Sequence, residues 1–177
     1  FAGRNIGSAK QACETVISMA PENYQAHALL GTMYMHQRDY DKAEEQFTLL
    51  TRMAPGNPDG HFQLGLLRMK NDDVNAKRAF ENALSANPMH MQAFLNLILV
   101  MTEKKDFRGA ERLFKEALIQ NPHFLPPYYS LARVYTKENR VDTAIAHYRM
   151  ALEKDPRQET PHMMLGILNS MESKPEA

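Results

Sequence analysis

The stretch MAPENYQAHALLGTMYMHQRDYDKAEEQFTLLTRMAP, residues 19–55, opens and closes on the same three letters. Met19-Ala20-Pro21 returns as Met53-Ala54-Pro55. The return is periodic: Pro21, Pro55, Pro88, Pro122 and Pro156 stand 34, 33, 34 and 34 residues apart. A period of that length is the signature of stacked helical repeats.

Each proline follows the same pattern. Ala43, Phe47 and Leu50 precede Pro55, and Ala76, Phe80 and Ala83 precede Pro88. Ala110, Phe114 and Ala117 precede Pro122, Ala144, Tyr148 and Ala151 precede Pro156, and Ala9, Cys13 and Val16 precede Pro21. Steps of four and three put these residues on one helical face. Alanine admits a neighbouring backbone, the aromatic fills the gap, and proline stops the helix because it has no N–H to continue it. A second helical pattern follows each proline, marked by Leu30-Gly31, Leu64-Gly65, Leu97-Ile98, Leu131-Ala132 and Leu165-Gly166. Glycine inside a helix costs about 1 kcal/mol relative to alanine, so three of the five positions predict a tight helix crossing. Ile98 predicts looser or shifted packing. The pattern predicts helices at 8–19, 24–36, 40–53, 58–70, 73–86, 91–104, 107–120, 125–137, 141–154 and 159–171. The 33-residue step calls for a one-residue deletion near Asn71.

The Leu-Gly…Tyr…Ala…Phe…Ala…Pro pattern resembles the tetratricopeptide repeat. The usual aromatic at the fourth position stands at Phe94 and Tyr128, and His27, His61 and His162 replace it elsewhere. The resemblance implies an all-α fold, a right-handed superhelical solenoid of tandem helix pairs. The first helix of each pair would line a concave groove. It implies scaffolding and peptide binding, not a chemistry. Residues 24–57, 58–90, 91–124 and 125–158 are then four full repeats. Residues 1–23 supply the second helix of one partial repeat, and 159–177 the first helix of another. The chain reads as a fragment of a longer array, and its complementary ends suggest head-to-tail self-association.

Composition narrows the function. Basic and acidic residues balance at 21 each, without the basic excess that a nucleic-acid partner demands. No apolar run approaches the roughly 18 residues of a membrane span, so direct membrane insertion is not expected. The compartment is not legible, and Cys13, the single cysteine, excludes an internal disulfide. The equivalent histidines sit in different repeats, and neighbouring repeats stack about 9–10 Å apart. Shared zinc needs about 2.0–2.1 Å to each nitrogen, so a structural role is expected and no metal or cofactor. No phosphate-cradling loop, metalloprotease motif or nucleophile elbow is present, and no catalytic residue or enzyme activity is expected.

The informative surface is the groove. Counting along each first helix places Thr32 and Met35 there, then Phe62, Leu66 and Met69, then Leu95 and Leu99. Tyr129 and Arg133 follow, then Met163 and Ile167, with Lys70 and Lys137 as further positive points. A lysine–asparagine clamp for a peptide carboxylate is not supported, because Ala28 and Thr32 occupy its positions. Nor is an asparagine ladder, since only Asn96 stands in that row, beside Leu29, Gln63, Ser130 and Met164. An apolar groove suits an amphipathic helix or apolar peptide of a protein partner, or is filled by neighbouring helices in a tighter superhelix. The remaining alternatives are a self-assembling spacer and the non-catalytic arm of a transferase or an envelope export protein.

Overall fold

The computed structural model describes residues 2–69 and 72–172. Among them are ten helices and no strand. The chain divides into two compact units, Phe1–Leu97 and Ile98–Ala177.

The first unit holds α1 (Ala2–Met19), α2 (Tyr24–His36), α3 (Tyr40–Met53), α4 (Pro58–Arg68), α5 (Asp73–Ala86) and the start of α6 (Met91–Glu103). The second holds the rest of α6, then α7 (Phe107–Gln120), α8 (Pro126–Lys137), α9 (Val141–Lys154) and α10 (Glu159–Glu172). Within each unit the close packing runs between consecutive helices, as a stacked repeat requires. Two boundaries differ from expectation. Helix α1 begins six residues earlier, and α4 ends at Arg68; Lys70 and Asn71 lie outside the described residues.

The prolines do more than stop helices. Each is the second residue of a tight turn closed by a backbone bond from Asn23 to Ala20, Asn57 to Ala54, His90 to Asn87, Phe124 to Asn121 and Gln158 to Asp155. Proline presets the φ that this turn position needs. Asn23 and Asn57 then cap α2 and α4 by accepting from Ala26 N and Asp59 N, each at 2.9 Å.

The shorter turns within helix pairs end their first helices by one device. Arg38, Lys105 and Asn139 adopt φ of 62°, 57° and 59°. The following N–H groups, of Asp39, Asp106 and Arg140, reach back to the carbonyls of Tyr34, Met101 and Tyr135. That is the left-handed cap with its six-to-one bond. In the second full repeat, 58–90, the bond runs from Asp72 N to Arg68 O, one residue shorter. The missing residue therefore lies in this turn, where the 33-residue step put it.

Burial follows the repeat pattern. In the first unit Ala43, Phe47, Ala76, Phe80 and Ala83 are fully inaccessible, and Cys13 is buried against Leu30, Met33 and Tyr34 in the slot that phenylalanine takes elsewhere. In the second unit Ala110, Ala144, Tyr148 and Ala151 fill the same roles. The crossing glycines have a physical cause. A Cβ on Gly31 would meet Phe47 Cε1 at 2.5 Å, and one on Gly65 would strike the Phe80 ring. Gly166 departs from the expectation, because a Cβ there would meet nothing within 4 Å. Close approach between first and second helices occurs for α2–α3, α4–α5 and α8–α9, whose crossing residues are Gly31, Gly65 and Ala132. Helix α6 carries Ile98 at that position, and the division between units falls at Leu97–Ile98.

Candidate functional site

The faces of the first helices were the expected docking surface. In the first unit, Thr32 lies in an open hollow of about 430 Å³. Tyr24, Gln25, Ala28 and Leu29 from α2 and Asn57 and Asp59 from the start of α4 complete its walls. Thr32 offers a partner little polarity, because its hydroxyl donates to Ala28 O at 2.9 Å. Met35 is partly buried against the core cluster. Phe62 is half-buried, its ring 6.0 Å from Phe80 and 4.9 Å from His90, so the core holds it from behind. Leu66 and Met69 are likewise half-buried, while Leu95 is exposed. Leu29, at 51% exposure, is the most open apolar side chain of α2, although counting along the helix puts it only in the asparagine-ladder row.

In the second unit, α8 presents Tyr129, Arg133 and Lys137 at four-residue steps, hence on one face. Tyr129 is half-buried, and burial pushes its phenol up. Arg133 and Lys137 are exposed and pair with no carboxylate among the described residues. Thr136 turns its hydroxyl back to Ala132 O at 2.9 Å, as Thr32 does. Leu99 and Ile167 are exposed on α6 and α10, and Met163 more so at 60%. The surface is thus apolar with unmatched positive charge in the second unit, and with Asp59 in the first.

Two of the repeat-position histidines, His27 and His162, hold backbone. His27 Nε2 lies 3.0 Å from Pro21 O, and its Nδ1 lies 2.7 Å from Gln46 Oε1. His162 Nε2 lies 2.9 Å from Pro156 O, and Tyr128 donates its hydroxyl to Pro122 O at 3.4 Å. A donor at the fourth position therefore ties each of these helices to the proline turn six residues before it. Among the described residues no three His, Cys, Asp or Glu side chains gather to hold a metal ion. No described helix is long and apolar enough to cross a membrane.

His147 is different. It stacks on Tyr135 at 5.2 Å and meets the Phe114 edge at 5.3 Å. Its Nδ1 is buried without a hydrogen-bond partner among the described residues. Burial is the main cause that lowers its pKa below the ordinary 6.5; nearby Arg140 adds to this and Glu111 opposes it. The unfolded chain then takes up this proton first, so stability is full above about pH 6.5 and is lost as the pH falls toward the lowered folded value. Urea unfolding between pH 7.5 and 5 is expected to show this loss, and His147→Phe to flatten it. An unchanged pH slope in that variant contradicts the assignment.

Comparison with known proteins places these features. A family model described as tetratricopeptide repeat matches residues 1–67 and 101–167, and a second of the same description matches 62–123. Protein O-mannosyl-transferase TMTC3 of Homo sapiens is 40% identical over 100 residues, which are 55% of this chain and 11% of that protein. The chain therefore spans a small part of that curated relative. The crystal structure of MamA matches at a TM-score of 0.68 with 22% identity, covering 88% of this chain and 92% of that one. Yeast Tom70 matches at 0.73 with 16% identity, covering 98% of this chain and 38% of that one. YrrB, described as a TPR protein with an unusual peptide-binding site, matches at 0.64 with 16% identity, covering 92% and 84%. At these identities the likeness to solved structures is one of fold.

Proposed function

Because this chain belongs to the tetratricopeptide-repeat family, we propose that it is an interaction scaffold that docks a helix or apolar peptide of a partner protein. The docking surface is the exposed face of its first helices, and 24–57, 58–90, 91–124 and 125–158 are its repeats. The observation that carries this reading is the second unit's face: exposed Leu99, Met163 and Ile167 with half-buried Tyr129 and the unmatched Arg133 guanidinium. In the first unit Phe62, Leu66, Met69 and Leu95 supply the apolar part, with Thr32 and Met35 at its edge. An amphipathic partner helix would lay its apolar stripe on these side chains and set a carboxylate against Arg133. Burying about 400 Å² of apolar surface is worth about 10 kcal/mol, against an association cost of about 4–15 kcal/mol, so micromolar binding is expected.

The test uses helix-forming peptides of about 15 residues, long enough for four turns, selected by display on the intact chain. Arg133→Glu and Ile167→Asp are expected to weaken the selected peptides by about tenfold or more, which is about 1.4 kcal/mol. Melting temperatures stay unchanged, since both side chains are exposed. Arg149→Glu, exposed on the second helix α9, is expected to leave affinity within about twofold. Equal losses at position 149, or none at 133 and 167, reject this surface. A second reading rests on the identity with the mannosyl-transferase: the array is the docking arm of a larger enzyme whose chemistry lies in another domain.

A further inference from the structure

Packing in this chain repeats closely from one helix pair to the next, with Cys13 and Ile98 as departures. Each second helix offers alanine, an aromatic or its substitute, and a small or apolar residue to the helix that follows. A second helix seated one repeat out of place would bury much the same surface, and every docking side chain would move by a repeat. Something must tell the helices apart.

One side-chain position differs from junction to junction. At three junctions a residue on a second helix meets the residue 24 positions later, near the end of the next first helix: Lys10 with Tyr34, Glu44 with Arg68, and Glu111 with Tyr135. The place is equivalent each time, since the carbonyls of Tyr34, Arg68 and Tyr135 all accept the N–H that closes the helix end. The chemistry is different each time. Lys10 Nζ stands 4.5 Å from the centre of the Tyr34 ring, and Lys42 Nζ is 5.6 Å from the same centre. Arg68 Nε donates to Glu44 Oε1 at 3.0 Å. Glu111 and Tyr135 line one hollow, where the Glu111 charge adds to burial in raising the Tyr135 phenol, and the Arg140 guanidinium lies 4.5 Å from the centre of that ring.

We propose that this position is a neighbour-recognition code that fixes which second helix seats against which first helix, and so keeps the docking residues in register. Lysine is compatible with tyrosine through its ring face, and glutamate with either arginine or tyrosine. Lysine against arginine is repulsive. Lys10 is thereby disfavoured on the seat of α4, where it would meet Arg68. The pairs are part-exposed, with Arg68 and Glu44 side chains 29% and 45% accessible, so they add little stability. Their effect lies in the combination they forbid.

The four combinations at the second junction test the code on the intact chain. Wild type carries Glu with Arg. R68Y installs the third junction's pair, and E44K with R68Y installs the first junction's pair. E44K alone creates the forbidden combination. Melting temperatures of the three permitted chains are expected to agree within about 2 °C, and E44K to melt about 3 °C or more below them. E44Q, which removes attraction without adding repulsion, falls between. About 1 M NaCl narrows the E44K deficit, because the screening length drops to about 3 Å. If R68Y falls as far as E44K, if the double variant falls further still, or if salt leaves the deficit unchanged, the side chains are ordinary packing and the code is wrong.

Discussion

Phe80→Ala is expected to lower the unfolding free energy by about 3–5 kcal/mol, the range for emptying a fully buried aromatic site. Phe80 has no accessible surface and sits under Gly65, with the Phe62 ring 6.0 Å away. The site cannot easily collapse, because the aromatic is the part that fills the space between α4 and α5. Alanine there leaves two helices facing a cavity and takes away the support behind Phe62. Equilibrium urea unfolding measures the loss. A change below about 1 kcal/mol would mean that the helices close over the gap, and that the aromatic of the repeat is not its structural wedge.

Two glycines at one repeat position are expected to respond with opposite signs. Alanine in place of a helical glycine ordinarily gains about 1 kcal/mol. At Gly65 the new methyl must displace the fully buried Phe80 ring, and overpacking of that kind costs about 1–3 kcal/mol. Gly65→Ala is therefore expected to destabilise by up to about 2 kcal/mol. Gly166→Ala meets nothing within 4 Å and is expected to stabilise by up to about 1 kcal/mol. The same urea experiment reads both. Equal signs would show that the crossing distance, rather than the residue, adjusts.

These contrasts mark how far the sequence could be read. The helices were legible because the apolar spacing, the prolines and the caps agree with one another from residue 24 onward. The early start of α1 was not, since residues 2–7, AGRNIG, carry two glycines, which disfavour a helix interior, and no proline. The repeat position of His27 and His162 was plain, but their partners are proline carbonyls, and backbone acceptors leave no mark in the side-chain pattern. Gly166 carries the motif without the clash that explains Gly31 and Gly65, because a motif letter does not report the distance to its neighbour. On the proposed docking face, counting assigns residues to first helices but does not give their exposure. Thr32 and Phe62 are engaged with their own surroundings, whereas Leu29 stands open.

The central claim is that partners dock on first-helix faces. The most direct measurement is a methyl NMR titration of the intact chain with the tightest selected helical peptide. Exposed apolar side chains occur on both kinds of helix, which supplies an internal control. Leu99, Met163 and Ile167 lie on first helices, and Val74, Ile119 and Met150 on second helices. The account predicts that the first group shifts on binding while the second stays in place. Shifts centred on Val74, Ile119 and Met150, with the first group silent, would contradict it.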